Sequence, residues 1–380
     1  MHGIKEITVF TIGDSNEIKT WSNIPYFLTK NLEKKGIQVN RVNIQENPLL
    51  FTIYKYTIFA CIKLLYRNSN QTYFRSKLNN TLTNIKIKKA LIKHSKADLS
   101  VFLSFSFSNP YQNSKPTVIF GDWTYLYYIQ NFLKRKPHWF EKSALKREKN
   151  TIDSANLVLG LFPISTRFIK ETCVKANVHY LGNVINSNYD LKRGQLFQQK
   201  TKSNKILFIG NKKYLNGAID LVQVFKSLSS KHPELELHLI GINESDTNLK
   251  SSKLFYYGYL DKGVKDENEI YYKLISESKV IVNTTEDWGA FSSMTEAMYF
   301  YTPVITSPYK EFTETYGTEI NFGYYITKNS IALGPAIEEL INMNAEKYSE
   351  LMFHAHEGVK DFTWNNYIDK ILNLVHKELS

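Results

Sequence analysis

Short runs of β-branched and apolar residues alternate along the chain with stretches in which apolar positions recur every three or four residues, and glycine closes several of the runs. Residues 7–12 form the first run, which stops at Gly13-Asp14. A helical pattern over 24–35 ends at Gly36, and residues 37–42 predict a second strand. Residues 99–105, 117–120 and 157–161 predict further strands with helices between them. Such alternation implies a parallel, doubly wound sheet.

After Asn186-Ser187-Asn188, a stretch rich in Gln, Lys and Ser lacks apolar periodicity until about Asn204 and predicts a linker. The strand and helix alternation then restarts. Residues 206–209 predict a strand closed by Gly210, 218–228 a helix, 235–240 a strand closed by Gly241, 269–276 a helix and 279–282 a strand. Near the end, Ile368, Ile371, Leu372 and Val375 lie at helical spacing. The expected fold class is therefore α/β, with two Rossmann-like doubly wound domains at 1–187 and 205–362. A linker at 188–204 would join them, and a helix at 363–380 is free to pack back on the first domain.

Composition narrows the classes. The 380 residues are 43% hydrophobic and 22% charged, which excludes disordered, collagen-like and coiled-coil chains. Cys61 and Cys173 cannot build a disulfide framework, and nine scattered His show no short metal-ligand spacing. A reducing, cytoplasmic location and no resident metal are expected. No secretory signal is expected, since residues 1–6 run straight into the first strand. The longest apolar stretch, 51–66, is broken by Lys55 and Lys63 and falls short of the ~20 residues that span a bilayer, so no crossing is expected.

Net charge is informative only when divided. Residues 1–200 hold 30 Lys and Arg against 12 Asp and Glu, whereas residues 201–380 hold 18 against 24. The first half is therefore expected to meet something anionic, such as a membrane surface or a phosphate-bearing acceptor. Nucleic acid is not expected: no helix-turn-helix, zinc-finger or RRM signature accompanies the basic residues, and the acidic second half would oppose wrapping a polyanion. Lys86, Lys89, Lys93 and Lys96 share a helix face, and Lys134-Arg135-Lys136 with Lys142, Lys146, Arg147 and Lys149 add two clusters. Beside them, 51–67 reads in two ways: as a helix buried against the sheet, which is the expectation, or as one lying at a membrane surface.

In open α/β sheets ligands bind beyond the carboxyl ends of strands, which directs attention to the loops after residues 12, 209 and 282. The last loop runs Glu286-Asp287-Trp288-Gly289-Ala290-Phe291-Ser292-Ser293-Met294-Thr295-Glu296-Ala297-Met298. An acidic turn, a glycine and a helix opening around Ser293 offer free backbone N–H groups to a diphosphate and carboxylates to sugar hydroxyls. Ser293-x-x-Glu296 also reads as a capping box, in which Glu296 would serve only its own helix start. Both readings stay open. Asp122, at the end of the 117–120 strand, would either face a sugar or acceptor or cap the helix beginning near Thr124.

Glu296-Ala297-Met298 followed by Thr302-Pro303-Val304-Ile305, after an acidic-aromatic-glycine turn, resembles the retaining nucleotide-sugar glycosyltransferases of family 4, also called group 1, which have the GT-B fold. Phe208-Ile209-Gly210, Gly217, Trp364, the segment from Asp14 to Tyr26 and Gly182-Asn183-Val184-Ile185-Asn186 extend the resemblance over nearly the whole chain. It implies two domains facing a cleft, with a donor-binding second domain and an acceptor-binding first one. By that resemblance Glu296 would hold the donor ribose, and Glu286 or Asp287 would stand for the first acid of the family's pair. Gly289, Ala290, Phe291, Ser292 and Ser293 would approach the diphosphate or sugar. Gly210, Asn211, Lys212, Lys213 and Asn216 would line the donor, and Gly13, Asp14, Trp21 and Ser22 the acceptor side. No metal or other cofactor is implied.

The sequence departs from the family at three places. Glu286 and Asp287 precede Glu296 by ten and nine residues where the family has eight. Asn211 and Asn216 stand where the family places Arg and Lys against the leaving diphosphate. Ser22-Asn23 replaces a small Gly-Thr pair. The expected function is transfer of a hexosyl-type sugar from a nucleotide diphosphate sugar to a glycan or lipid-linked acceptor. It would proceed with retention, in bacterial-type surface polysaccharide or glycoconjugate assembly, peripherally at the inner membrane face. The alternatives are an inactive GT-B scaffold of a glycan-assembly complex and a sugar-nucleotide epimerase of the same fold.

Overall fold

The computed structural model describes residues 4–111, 115–187, 189, 193–286, 291–327 and 331–379. They form two compact units: unit 1 comprises 1–182 and 364–380, and unit 2 comprises 183–363.

Unit 1 is built on β1 (Glu6–Thr11), β2 (Gln38–Asn43), β3 (Leu99–Phe102), β4 (Thr117–Gly121), β5 (Leu157–Gly160) and β6 (Val178–Tyr180). They pair in the order β2-β1-β3-β4-β5-β6, all parallel. β3, β4 and β5 are buried on both faces, which explains why their sequence shows continuous apolar runs and no alternation. Helix α1 (Ile24–Lys34) follows β1, with Pro25 in its first turn. Phe10, Ile87, Phe102, Ile119, Ile152 and Val158 form the centre of the core.

Unit 2 repeats the plan with β7 (Lys205–Ile209), β8 (Glu236–Ile240), β9 (Leu254–Gly258), β10 (Val280–Asn283), β11 (Val304–Thr306) and β12 (Gly323–Tyr325). Their order is β12-β11-β10-β7-β8-β9, again parallel. The strand order reverses between β1 and β3 in unit 1 and between β7 and β10 in unit 2. Those are the switch points at which a crevice opens.

Three regions differ from the sequence expectation. The 188–204 stretch carries a helix, Arg193–Thr201, within unit 2. Its Lys200 is fully buried and donates to the carbonyls of Ile275 and Ser278 and to Thr302 Oγ1, at 2.5, 3.1 and 2.7 Å. Its only large apolar residues, Leu196 and Phe197, are adjacent, which leaves no periodicity to reveal it. The 51–67 stretch is not a helix buried against the sheet. It is two helices, α2 (Pro48–Tyr56) and α3 (Ile58–Leu65), broken at Thr57, and neither has a buried residue. Arg135 is not a surface cation: its guanidinium forms a two-pronged ion pair with buried Glu141, at 2.8 and 2.7 Å.

The final helix, Trp364–Leu379, lies in unit 1. Trp364 stacks on Phe27 and Tyr367 Oη donates to the Gly182 carbonyl at 2.9 Å.

Candidate active site

In unit 2, Gly210 follows β7 and Asn211 caps the next turn, its Oδ1 accepting from the Lys213 N–H at 3.0 Å. Helix α4 (Leu215–Lys231) then starts with Asn216 exposed and Gly217 buried. A Cβ on Gly217 would lie 2.5 Å from Thr285 Oγ1, so only glycine lets this helix start reach the end of β10. Likewise a Cβ on Gly241 would meet the Gly210 carbonyl at 2.4 Å. The ends of β7, β8 and β10 are thus drawn together at the switch point. Lys212 is exposed and pairs with Asp246 at 3.1 Å, and Lys213 is exposed.

Helix α5 (Ser292–Tyr299) opens after Phe291, whose side chain is buried among Phe312, Tyr316 and Tyr309. Only its backbone can face a ligand. Ser292 Oγ accepts from Asn183 Nδ2 at 3.3 Å, which brings the Asn183 motif to the helix opening, with Ser293 beside it. The capping box is not formed: no side chain caps α5, and Glu296 turns away from the helix start. Its carboxylate, 4% exposed, accepts from Lys262 Nζ at 2.6 and 2.8 Å, Tyr271 Oη at 2.8 Å and Tyr272 Oη at 3.0 Å. Both tyrosines lie on the helix Lys265–Glu277, and Lys262 also reaches the Asn186 carbonyl at 3.4 Å. Burial lowers the Lys262 ammonium below its usual value, and Glu296 opposes that shift.

The sequence reading missed Lys262, Tyr271 and Tyr272. The signal was an isolated lysine after β9 and a Tyr-Tyr pair inside a helix, and neither has meaning until the chain folds. Glu286 is exposed, three residues beyond β10. Asp287, Gly289 and Ala290 lie outside the described residues.

In unit 1 the carboxyl ends of β1, β3 and β4 open into a cavity of about 320 Å³. Trp21, Trp123, Tyr125 and Arg75 wall it, with Asp122 and Glu148 as its acids. Asp122 does not cap the following helix, because Thr124 does so with its own Oγ1; Asp122 Oδ1 accepts from the Trp123 N–H at 2.8 Å. Glu148 was not expected here. It is held by the Tyr125 N–H at 2.6 Å and Ser106 Oγ at 3.1 Å, and burial raises its carboxyl above the usual range. The Arg75 guanidinium sits 3.9 Å from the Tyr125 ring centre. Aromatic faces beside polar groups suit a sugar ring. A larger cavity of about 650 Å³, rich in Asn side chains, adjoins the start of β4 and lies away from the switch point.

Gly13, with φ 103°, donates its N–H to Asn43 Oδ1, and Asp14 folds back on Asn16. Trp21, Ser22 and Asn23 take φ values of 32°, 55° and 70°, conformations that glycine adopts without strain. From this loop Trp21 reaches the cavity. Among the described residues no group of three or more His, Cys, Asp or Glu is placed to hold a metal ion.

The fold and these two switch-point sites define an α/β protein of the GT-B class. Residues 193–353 match the family described as glycosyl transferases group 1. Among solved structures, the chain is similar to a sucrose-phosphate synthase from Thermosynechococcus elongatus, with 15% identity, 99% of each chain covered and a TM-score of 0.69. It is also similar to an α,α-trehalose-phosphate synthase (UDP-forming) from Burkholderia vietnamiensis, with 9% identity, 100% and 98% coverage and a TM-score of 0.66. The third is TarM of S. aureus, solved with UDP and α-GlcNAc-glycerol, with 18% identity, 77% and 58% coverage and a TM-score of 0.55. No curated protein matches the sequence.

Proposed function

We propose that the chain transfers a sugar, with retention of configuration, from a nucleoside diphosphate sugar held by unit 2 to a hydroxyl acceptor held in the unit 1 cavity. The reaction belongs to glycan or glycoconjugate assembly. The observation that carries this reading is the group 1 match over 193–353, coinciding with the convergence of Gly210, Gly217, Thr285 and the start of α5 at the switch point of the second sheet. Backbone N–H groups of the α5 first turn suit the diphosphate. The acids and aromatic faces of the unit 1 cavity suit the acceptor sugar. Uridine is the favoured base, because TarM was solved with UDP and the trehalose-phosphate synthase is named as UDP-forming.

Thermal unfolding in the presence of UDP, GDP, dTDP and their sugars tests the donor. A rise with UDP and a smaller one with the others is expected. No stabilisation by any of them, together with no donor hydrolysis, sinks the proposal.

A second reading is favoured by a specific observation. Glu296 is already saturated by Lys262 and two tyrosines, and Asn211 and Asn216 supply no charge, as in a protein that keeps the fold for scaffolding. Acceptor-dependent product from the purified chain would remove it.

A further inference from the structure

From residue 47 to residue 97 the chain has ten Lys and Arg and not one Asp or Glu. Its first part forms α2 and α3, which are tied down at two aromatic points. Tyr54 Oη donates to the Gln71 carbonyl at 3.2 Å, and the Tyr66 ring lies 5.1 Å from Phe140. The rest faces outward. Leu64 is 82% exposed, Leu65 79% and Tyr56 70%, and Leu49, Ile53 and Ile58 are exposed with them. Adjoining Phe140, Trp139 is 74% exposed. Lys55, Lys63 and Arg67 interleave with these apolar residues. Exposed apolar side chains concentrated in this way mark an interaction site.

We propose that α2, α3 and Trp139 dock the protein on an anionic phospholipid surface, with the apolar side chains entering the acyl boundary and the cations meeting headgroup phosphates. This goes beyond the transfer reading and does not depend on it. Charge selects the occupant: a second copy would press one acid-free basic face against another, whereas an anionic bilayer complements it.

By length and composition alone, Pro48–Leu65 would suffice to cross a membrane. The structure argues for lying on it. The break at Thr57, with φ −113° and ψ −90°, leaves pieces of nine and eight residues. At ~1.5 Å per residue neither approaches the ~30 Å hydrocarbon core. Moreover β2 and β3, which precede and follow the segment, both pair with β1. Its two ends therefore sit on the same side of any bilayer. A segment lying at the surface satisfies that constraint and a single crossing does not.

The test is flotation of the full-length protein with vesicles of phosphatidylcholine alone and of phosphatidylcholine with phosphatidylglycerol, at low and high salt. Binding is expected only to the anionic vesicles, with release by salt or alkaline carbonate. L64D/L65D should weaken binding by roughly tenfold or more while leaving thermal unfolding and any nucleotide-induced stabilisation unchanged. K55E/K63E, which keeps every exposed apolar side chain, should also weaken binding by about tenfold.

Absence of anionic-vesicle binding, equal binding to neutral vesicles, or unaltered binding by both variants overturns the proposal. So does resistance to carbonate, which would signify a crossing. A dimer in sedimentation that L64D/L65D dissolves, without vesicle binding, would assign the face to a second copy and overturn it equally.

Discussion

In unit 1 the strand ends at the switch point open into a cavity of about 320 Å³ lined by tryptophan and tyrosine, whereas in unit 2 the strand ends are drawn together over glycines. The chief ionic groups differ in the same sense. Unit 1's Glu141 is a wall brace, bonded by Arg135, Tyr125 and the His138 N–H. Unit 2's Glu296, which the family resemblance assigns to ribose, accepts four hydrogen bonds from Lys262, Tyr271 and Tyr272. The same doubly wound plan thus gives one site shaped by side chains and one shaped by backbone approach. Substitutions should act on them differently: through volume and stacking in the first, through Cβ clashes and charge in the second.

The largest effect is expected from Glu296→Ala. It would leave the Lys262 ammonium buried without its partner, and a cost on the order of 3–5 kcal/mol follows for such a broken pair. Urea unfolding measures it. A loss below about 1 kcal/mol would show that the pair is solvated and that Glu296 is free for a ligand.

Gly217→Val should come next, because its side chain meets Thr285 Oγ1 and the Thr285 backbone nitrogen. About 1–3 kcal/mol of stability should be lost, along with stabilisation by UDP. A variant that keeps both would move the donor away from this helix start.

N211R/N216K restores the cations that the family places against a diphosphate. UDP affinity by calorimetry should rise by about tenfold, or ~1.4 kcal/mol. No gain would mean that Lys212, Lys213 or the backbone already provides what the diphosphate needs.

The remaining effects are pH-dependent and separate the units. In unit 1, burial alone would raise the Glu141 carboxyl, but hydrogen bonds from Arg135, the His138 N–H and Tyr125 outweigh it and bring it down to about 2. The folded state therefore holds this proton less tightly than the unfolded chain. Its contribution to stability is complete above the usual 4.5 and is lost as pH falls towards 2. In unit 2, burial lowers the Lys279 ammonium from 10.5 to about 8, so its contribution grows as pH rises through that interval. Comparing thermal unfolding of R135M and K279M with the parent chain should flatten the acid limb and the alkaline limb respectively. An unchanged limb in either variant breaks the assignment.

The sequence by itself determined most of the fold. Buried parallel strands leave unbroken apolar runs, and glycine must end them where the chain turns closely, so β1, β3, β4, β5, β7, β8 and β10 were legible. The strands β6, β9, β11 and β12 and the helix at Arg193–Thr201 were not, because their stability comes from neighbours such as the acceptors of Lys200 and not from local pattern. The motif around Glu296 was equally legible, but its partners were not. Lys262 is 34 residues away and Tyr271 is 25 residues away, and only the packing of one helix against another brings them into hydrogen-bond reach. Sequence also left 51–67 suspended between core and surface, since apolar periodicity records that a face avoids water without saying what covers it. Tertiary structure decided that point by giving the sheet its layers without α2 and α3 and leaving their apolar side chains outside.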